Sequence, residues 1–435
     1  MGGDDQAEKR IRRIEYSPLR SQTAFHASTA RFKGFSGSIG SGKSAALCHE
    51  AIKLSYLNPG RTGLVGAPTY PMLRDATLAA LIEIMDANEL PYELNKSEFV
   101  ITMKDTRSRI LLRSLDEFER LRGTNLAWFG VDELTYTCEE AWVRLEGRLR
   151  DPKAGRLCGF AVWTPKGYDW VHRRFFGSPV AGYEVVQAKP FENRFILDQI
   201  PDFYERLKSS YDERFFRQEV LGEYLAADSG RVYHAFSRTE HVGEIRLELG
   251  LPLLWALDFN VDPMCSVVAQ AHGEQINILD EIVMSRASTV QVCQAFWDRF
   301  KNYVRSGLTV YGDASGNSLK TSGSTDYEMM RAFFQGTPLR TVNYRVPKAN
   351  PAVRDRVLMV NAKLQDATGD IRMRVAPQCK ELIKDLEEVL WKPGTTQIDK
   401  DRDPKRSHLS DALGYLVWQE SRASAPYGEQ PRRLF

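Results

Sequence analysis

Cysteine, histidine and net charge are all scarce in this chain. Six cysteines and seven histidines occur among 435 residues, and the formal charge is only +2. The cysteines, Cys48, Cys138, Cys158, Cys265, Cys293 and Cys379, form no C-x-x-C pair. That spacing argues against a zinc ribbon or a disulfide scaffold and fits a reducing compartment. So small a charge excludes a histone-like polycation, and any nucleic-acid contact must come from local basic surfaces. No run approaches the roughly 18 apolar residues of a spanning helix. The opening MGGDDQAEKRIRRIEY lacks the apolar core of a secretory leader. The expectation is a soluble, intracellular protein without a membrane partner, and no internal repeat or low-complexity segment is seen.

What is present is an ordinary globular composition, 43% hydrophobic and 27% charged, at a length that on a soft prior of roughly 100–200 residues per domain predicts two or three domains. Short apolar runs at 32–36, 62–67, 109–113, 126–131 and 158–163 alternate with helical stretches at 45–57 and 72–88. That rhythm predicts a parallel sheet covered on both faces. A polar helical region at 200–225 leads to Ala226-Ala227-Asp228-Ser229-Gly230, which reads as a linker. Beyond it, runs at 253–259, 265–271 and 275–282 are separated by Asp262-Pro263 and His272-Gly273, the pattern of an antiparallel meander. A helix near 288–305 and a strand at 308–311 follow.

The most legible motif is Gly37-Ser38-Ile39-Gly40-Ser41-Gly42-Lys43-Ser44, which fits G-x-x-x-x-G-K-[ST] at every fixed position. Its glycines let backbone N–H groups face phosphates, and the helix behind it offers its positive end to an anion. Lys43 is then the residue that reaches the β- and γ-phosphates, and the Ser44 hydroxyl a Mg²⁺ ligand. A Gly/Ser turn matching by accident would lack the strand before and the helix after. Leu126-Ala127-Trp128-Phe129-Gly130-Val131-Asp132-Glu133 supplies the complementary half, an apolar strand ending in two acids. Asp132 suits the Mg²⁺ shell, and Glu133 suits a general base on water, which points to hydrolysis rather than phosphorylation. Arg120-Leu121-Arg122-Gly123 presents arginine on a Gly-flexed turn, either as a finger on a neighbouring subunit's γ-phosphate or as a solvated surface group. Thr164, before Pro165, ends the next strand, where it either senses the γ-phosphate or makes a plain turn.

The second half carries a different chemistry. Asp258 interrupts the apolar strand LLWALDFN, where a carboxylate costs several kcal/mol unless it is paired or metal-bound. Asp313 ends another strand between glycine-rich neighbours (YGDASG), and Asp411 lies at the start of an apolar helix (SHLSDALGY). Singly each has an ordinary explanation, helix-dipole compensation for Asp411 included. In the order strand, strand, C-terminal helix they form the layout of a ribonuclease-H-like nuclease, whose carboxylates hold two divalent metals roughly 3.5–4 Å apart. Hard oxygen ligands favour Mg²⁺ or Mn²⁺ over zinc. Asp262, Asp280 and Glu281 are secondary acidic candidates, and His408 is a candidate for positioning a ligand or phosphate. Arg340, Arg345, Lys348, Arg354, Arg356, Lys405 and Arg406 are basic candidates for a phosphodiester backbone.

Together these residues resemble the large terminase subunit of tailed double-stranded DNA phages. GSIGSGKS resembles that family's Walker A loop, WFGVDE its Walker B strand with Glu133, and Thr164-Pro165 its coupling motif. LDFN, YGDASG and HLSDALGY are similar to its three acidic nuclease motifs. The segment SPLRSQTAFH, at 17–26, resembles its adenine-contacting motif, with Gln22 as the adenine reader, and LRG at 121–123 resembles the segment carrying a trans-acting arginine, here Arg122. The resemblance implies an α/β chain with an N-terminal P-loop ATPase domain of the ASCE, RecA-like type and a C-terminal RNase H-like mixed-sheet nuclease domain. The expected boundaries are 1–228 for the ATPase domain, 229–245 for a hinge, 246–425 for the nuclease and 426–435 for a tail bearing Arg432 and Arg433. It further implies ATP with Mg²⁺ in one site and two divalent metals in the other. The implied partners are double-stranded DNA, the portal of the procapsid, a small terminase subunit, and other copies in a ring, commonly five. The implied location is the host cytoplasm, transiently at the portal vertex. A helicase–nuclease and a non-catalytic assembly protein are the rival readings.

Overall fold

The structure, a computed structural model, describes residues 14–423 except 122, 178–180, 226–229, 261, 321–322, 340, 393–394, 396 and 402. It divides into two compact units: Met1–Pro201 with Gln218–Ala226, and Asp202–Arg217 with Ala227 onward. Arg122 and the tail at 426–435 lie outside the described residues.

The first unit is built on β1 (Phe32–Ser36), β2 (Thr62–Ala67), β3 (Tyr92–Asn95), β4 (Val100–Met103), β5 (Arg109–Ser114), β6 (Trp128–Val131), β7 (Cys158–Trp163) and β8 (Tyr183–Gln187). They form one sheet in the order β3-β4-β5-β2-β6-β7-β1-β8. From β5 to β8 all neighbours are parallel, whereas β3, β4 and β5 pair antiparallel. Every residue of β6 and β7 is buried, as expected of parallel strands covered by helices on both faces. Glycine inside these strands makes room for aromatics: a Cβ on Gly63 would lie 1.9 Å from the Trp128 ring. Because β7 lies between β1 and β6, the ends of three strands adjoin: the one leading to the Gly-rich loop, the one ending in Thr164, and the one ending in Asp132.

The helix behind the loop, Lys43–Leu57, packs against this sheet. The helix expected at 72–88 is α-helical over Tyr70–Met72 and Ala79–Ala87 but π-helical over Leu73–Leu78. Such widened turns recur at functional sites.

The second unit's strands are β9 (Leu253–Asp258), β10 (Met264–His272), β11 (Gln275–Met284), β12 (Leu308–Gly312), β13 (Val342–Arg345) and β14 (Met373–Val375), ordered β13-β12-β9-β10-β11-β14. The meander β9-β10-β11 is antiparallel, and β12, β13 and β14 each join parallel. One face packs on Val353–Leu364, Lys380–Glu388 and His408–Ala423; the other packs on Thr289–Phe300 and Asp326–Gln335.

The stretch expected to be a hinge is not an open connector. From residue 230 onward it supplies core to the second unit, with Val232, Tyr233, Phe236 and His241 all buried. Residues 202–217 also belong there: Asp212 is buried and pairs with His234 at 2.8 Å. The apolar spacing VYHAF is too short to separate a packed strap from a linker, which is why the sequence reading placed the boundary later.

Candidate active sites

In the first unit the loop wraps around its own backbone. Gly40 and Gly42 take left-handed φ of 73° and 81°, a region that a Cβ disfavours. Gly37 N–H donates to the Trp163 carbonyl at 3.0 Å, and Ile39 N–H donates to Glu219 O at 2.7 Å. The Lys43 ammonium donates to the Gly37 and Ser38 carbonyls at 3.0–3.2 Å and stands 4.0 Å from Glu133. The Ser38 and Ser41 hydroxyls are buried without a partner. Ser44 is exposed at the first turn of the helix. A loop with two orphaned hydroxyls, a buried lysine folded onto its own carbonyls and an exposed serine at a helix start fits a phosphate group.

Asp132 and Glu133 stand at the end of β6. Burial, then the adjacent Glu133 charge, pushes the Asp132 carboxyl up to about 6. Thr77 Oγ1 donates to Asp132 Oδ2 at 2.8 Å. Thr77 lies in the π-helical turn, and sequence reasoning missed it; a hydroxyl among apolar residues was its one signal. Glu133 adopts φ 47°, ψ 53°, a left-handed backbone unusual for a side chain of its size. Thr164 is buried at the end of β7, and its carbonyl accepts from Thr135 Oγ1 at 3.1 Å. Asn193, also missed, donates to the Gly40 carbonyl at 2.6 Å.

Gln22 departs from expectation. Its Oε1 accepts from Leu19 N–H at 2.8 Å and its Nε2 donates to Gly42 O at 2.8 Å. With one bond at each end of the amide and the residue 3% exposed, Gln22 here ties the helix Arg20–Ala27 to the loop. Arg122, the other weakly marked candidate, lies outside the described residues.

In the second unit Asp258 and Asp313 end neighbouring parallel strands, in register as Leu257 beside Gly312. Asp313 receives Ser315 Oγ at 2.6 Å and Gly316 N–H at 3.3 Å. Burial raises its carboxyl, and the Asp258 charge works in the same direction. Asp258 Oδ2 accepts from Asn260 Nδ2 at 2.6 Å and lies 2.9 Å from His408 Nδ1. The bond to Asp258 raises the His408 imidazole against the opposing burial. His408 Nε2 faces the Pro404 carbonyl at 3.0 Å, so a proton on either nitrogen finds an acceptor.

Asp411, one turn along the same helix, is held by two cations and a hydroxyl. Arg356 Nη1 meets Oδ1 at 3.1 Å; Lys400 Nζ and Ser407 Oγ meet Oδ2 at 3.2 and 3.3 Å. Tyr415 lies a further turn on. Burial raises its phenol, Arg356 opposes this, and Asp411, Asp258 and Asp313 all add to the rise. All three carboxylates therefore lie within electrostatic reach of one side chain.

By donor chemistry this set suits a hard divalent cation. Among the described residues no cation pairs with Asp313, which is buried and feels the Asp258 charge. By arrangement, however, no three His, Cys, Asp or Glu groups among the described residues stand so as to hold a metal.

Several of the expected site residues have other partners in this structure. Arg356, read as a phosphate contact, is buried against Asp411. Arg345 pairs with Glu420, and Arg406 with Glu381, Asp385, Glu388 and Asp403. Glu281 accepts the backbone N–H groups of Glu381 and Leu382, capping a helix. Asp280 pairs with Arg299 and Asp262 with Arg286. Arg340 lies outside the described residues.

Comparison with known proteins agrees with this geometry. A family described as the terminase RNase H-like domain matches residues 255–420, a stretch that includes Asp258, Asp313 and Asp411. The large terminase subunits of Thermus virus P23-45 and Thermus phage G20c are each 24% identical over 225 residues, covering 47% of this chain and 45% of theirs. The chain thus spans just under half the length of these curated relatives. The large terminase structure of a thermophilic bacteriophage shares the fold at TM-score 0.62 and 14% identity, covering 92% of this chain and 98% of that one. A structure of the same phage enzyme in complex with ATP-γ-S gives the same TM-score at 16% identity. Residues 255–420 are thereby a match to the terminase RNase H-like family, in a chain whose fold over nearly its whole length is similar to that of phage large terminases.

Proposed function

We propose that the chain is a phage DNA-packaging ATPase that also cuts DNA. The observation that carries this reading is the presence of two chemically distinct acidic sets in one chain. Lys43 stands 4.0 Å from Glu133, which follows β6 with Asp132, and Asp258 and Asp313 follow one another across paired strands, with Asp411 on the helix His408–Ala423.

In the first set the nucleotide's phosphates would lie along the loop Gly37–Ser44, with Lys43 moving its ammonium from the Gly37 and Ser38 carbonyls to the β- and γ-phosphates. Mg²⁺, when bound at Ser44 and Asp132, supplies neutralisation of phosphate charge. Glu133 accepts the proton of the attacking water, and its left-handed backbone aims it past Asp132 toward Lys43. Thr164, on the strand between loop and acids, would follow the γ-phosphate and couple its loss to motion. Arg122 would complete a neighbour's site in a ring of copies. That the thermophilic phage enzyme was solved with ATP-γ-S supports the assignment of ATP.

In the second set Asp258, Asp313 and Asp411 would hold two Mg²⁺ or Mn²⁺ ions, whose chemistry is to stabilise the attacking and leaving oxygens of a phosphodiester. Double-stranded DNA would be the substrate of both units, with the portal of a procapsid and a small terminase subunit as partners in the host cytoplasm. Among the described residues no helix is long and apolar enough to cross a membrane. A helicase–nuclease would need a second parallel P-loop sheet, and the second unit has the mixed order β13-β12-β9-β10-β11-β14 instead.

Two variants of the full chain test the reading. Glu133→Ala should abolish ATP hydrolysis and leave metal-dependent DNA cutting, and Asp258→Ala should do the reverse. Loss of both activities in both variants would defeat the division of labour. Absence of both from the unaltered chain would favour the assembly protein.

A further inference from the structure

Beside the Gly-rich loop of the first unit lies a buried amide that the nucleotide chemistry above leaves unused. Asn193 Oδ1 accepts the Phe195 N–H at 3.1 Å and so caps the helix Arg194–Gln199, whereas Nδ2 donates to the Gly40 carbonyl at 2.6 Å. A donor at one end and an acceptor at the other fix which way the amide faces. The segment that carries it is held too. Glu192 Oε1 accepts the Ser21 N–H at 2.8 Å, and Phe191 takes a left-handed φ of 62°, a backbone that a side chain of its size rarely adopts. The residue before Gly40 is tied as well, since Ile39 N–H donates to the Glu219 carbonyl at 2.7 Å.

The loop therefore has two kinds of contact. Gly40 and Ile39 are bonded to other elements of the unit. Ser41 N–H and the Lys43 ammonium are bonded within the loop, the first to the Ser38 carbonyl at 3.2 Å and the second to the Gly37 and Ser38 carbonyls. Those inner donors are the ones a phosphate would claim. Glycine-rich backbone is costly to order, and an anchor set before the ligand arrives removes part of that cost from binding.

We propose that Asn193 is a positioning residue for the phosphates: its bond to Gly40 holds the middle of the loop while Ser41 N–H and Lys43 exchange the Ser38 carbonyl for phosphate oxygens. This rests on the nucleotide reading above. Asn193 touches no phosphate itself; it acts through Gly40. The effect belongs to the phosphate chain, so inorganic tripolyphosphate should feel it as ATP does.

Two substitutions in the full chain separate this brace from the helix cap. Asn193→Ser keeps a capping oxygen, adds no charge, and ends one atom short of the amide nitrogen. Asn193→Asp keeps the shape and the cap but sets an acceptor against the Gly40 carbonyl. Both should melt near the unaltered temperature. Titration of a fluorescent ATP analogue, and its displacement by tripolyphosphate, reads the affinities. Asn193→Ser should weaken both by about fivefold, the order of one neutral hydrogen bond, and Asn193→Asp should weaken them further. Asn193→Ala, which loses cap and brace together, should bind like Asn193→Ser and yet melt lower. Unaltered affinity in Asn193→Ser overturns the brace, even where Asn193→Asp binds weakly, because charge alone then explains that loss. The nucleotide reading stands in that case, since the unaltered chain still binds the analogue. An unaltered chain that binds neither analogue nor tripolyphosphate overturns both.

Discussion

A carboxylate beside another carboxylate, where water barely reaches, is a cost that the fold carries for function. Asp132 shows it most clearly, because burial and Glu133 together move its carboxyl from 3.8 up to about 6. Below the ordinary value both folded and unfolded chains keep the proton, and nothing is lost. As pH climbs toward 6 the unfolded chain gives up its proton first, so the fold loses stability. A displacement of that size corresponds to about 3 kcal/mol. In the absence of nucleotide, Asp132→Asn should therefore raise the melting temperature at pH 8 and bring little gain near pH 4, while abolishing ATP hydrolysis. A gain of equal size at both pH values would show that charge is not its source. Thr77 acts on the same group from the π-helical turn. Thr77→Val keeps the shape and removes the donor, so Mg²⁺-dependent nucleotide binding should weaken by about tenfold, the order of a hydrogen bond to a charged group. Thr77→Ser should restore it, and titration of a fluorescent ATP analogue with and without Mg²⁺ reads the difference.

Among the elements, the C-terminal helix His408–Ala423 has the most to position, since it carries His408, Asp411 and Tyr415. Its start is anchored from the side: the buried Asp385 accepts from Ser410 N–H and from the Ser407 backbone, and Arg406 lies 3.6 Å away. Asp385→Ala removes that anchor. Stability should fall by only about 1 kcal/mol, as for other lost helix-start acceptors, but DNA cutting should fall severalfold with ATP hydrolysis unchanged. Asp385→Asn retains an acceptor and should stay near the unaltered level; equal losses in the two activities would contradict the assignment. Elements of this kind divide sharply in how far sequence reveals them. The strands ending in Asp132 and Asp258 were legible because a carboxylate after four or more apolar residues has few explanations, and the one before Asp313 because glycines flank its end. The strands Tyr92–Asn95, Tyr183–Gln187 and Val342–Arg345 were not, since each mixes half-buried and exposed residues over four or five positions and buries none fully. The contacts of Arg356 and Gln22 were not legible, because only tertiary structure brings Asp411 to one and the Gly42 carbonyl to the other.

At the scale of the whole molecule the open matter is where an independently stable second unit begins. A boundary drawn from sequence at residue 246 removes Val232, Tyr233 and Phe236, which are 0%, 2% and 4% exposed in its core. It also removes the buried His241, whose Nε2 meets the Leu364 carbonyl at 2.9 Å, and the Asp212–His234 pair. Burial of a large apolar side chain is worth roughly 1.5–3 kcal/mol, so three such losses approach the roughly 5–15 kcal/mol that holds a whole domain together. The segment also covers the helix Val353–Leu364, where Asn361 donates to the Val232 carbonyl at 3.0 Å and accepts from Ala235 N–H at 3.1 Å. Truncation would remove both of those bonds and leave the amide only its bond to the Val357 carbonyl at 3.2 Å, a further cost of about 1 kcal/mol for each bond lost. A fragment starting at residue 202 should therefore melt in one cooperative transition, with dispersed amide resonances and Mn²⁺-dependent cutting. One starting at 246 should show no sharp transition and should bind a dye for exposed apolar surface. The intermediate fragment starting at 230 keeps the three core side chains but loses Asp212, leaving His234 unpaired, so it should fold with a melting temperature several degrees lower. If the fragment from 246 melts as sharply and as high as the one from 202, the segment is a passenger on the second unit, and the sequence-drawn hinge is the true boundary.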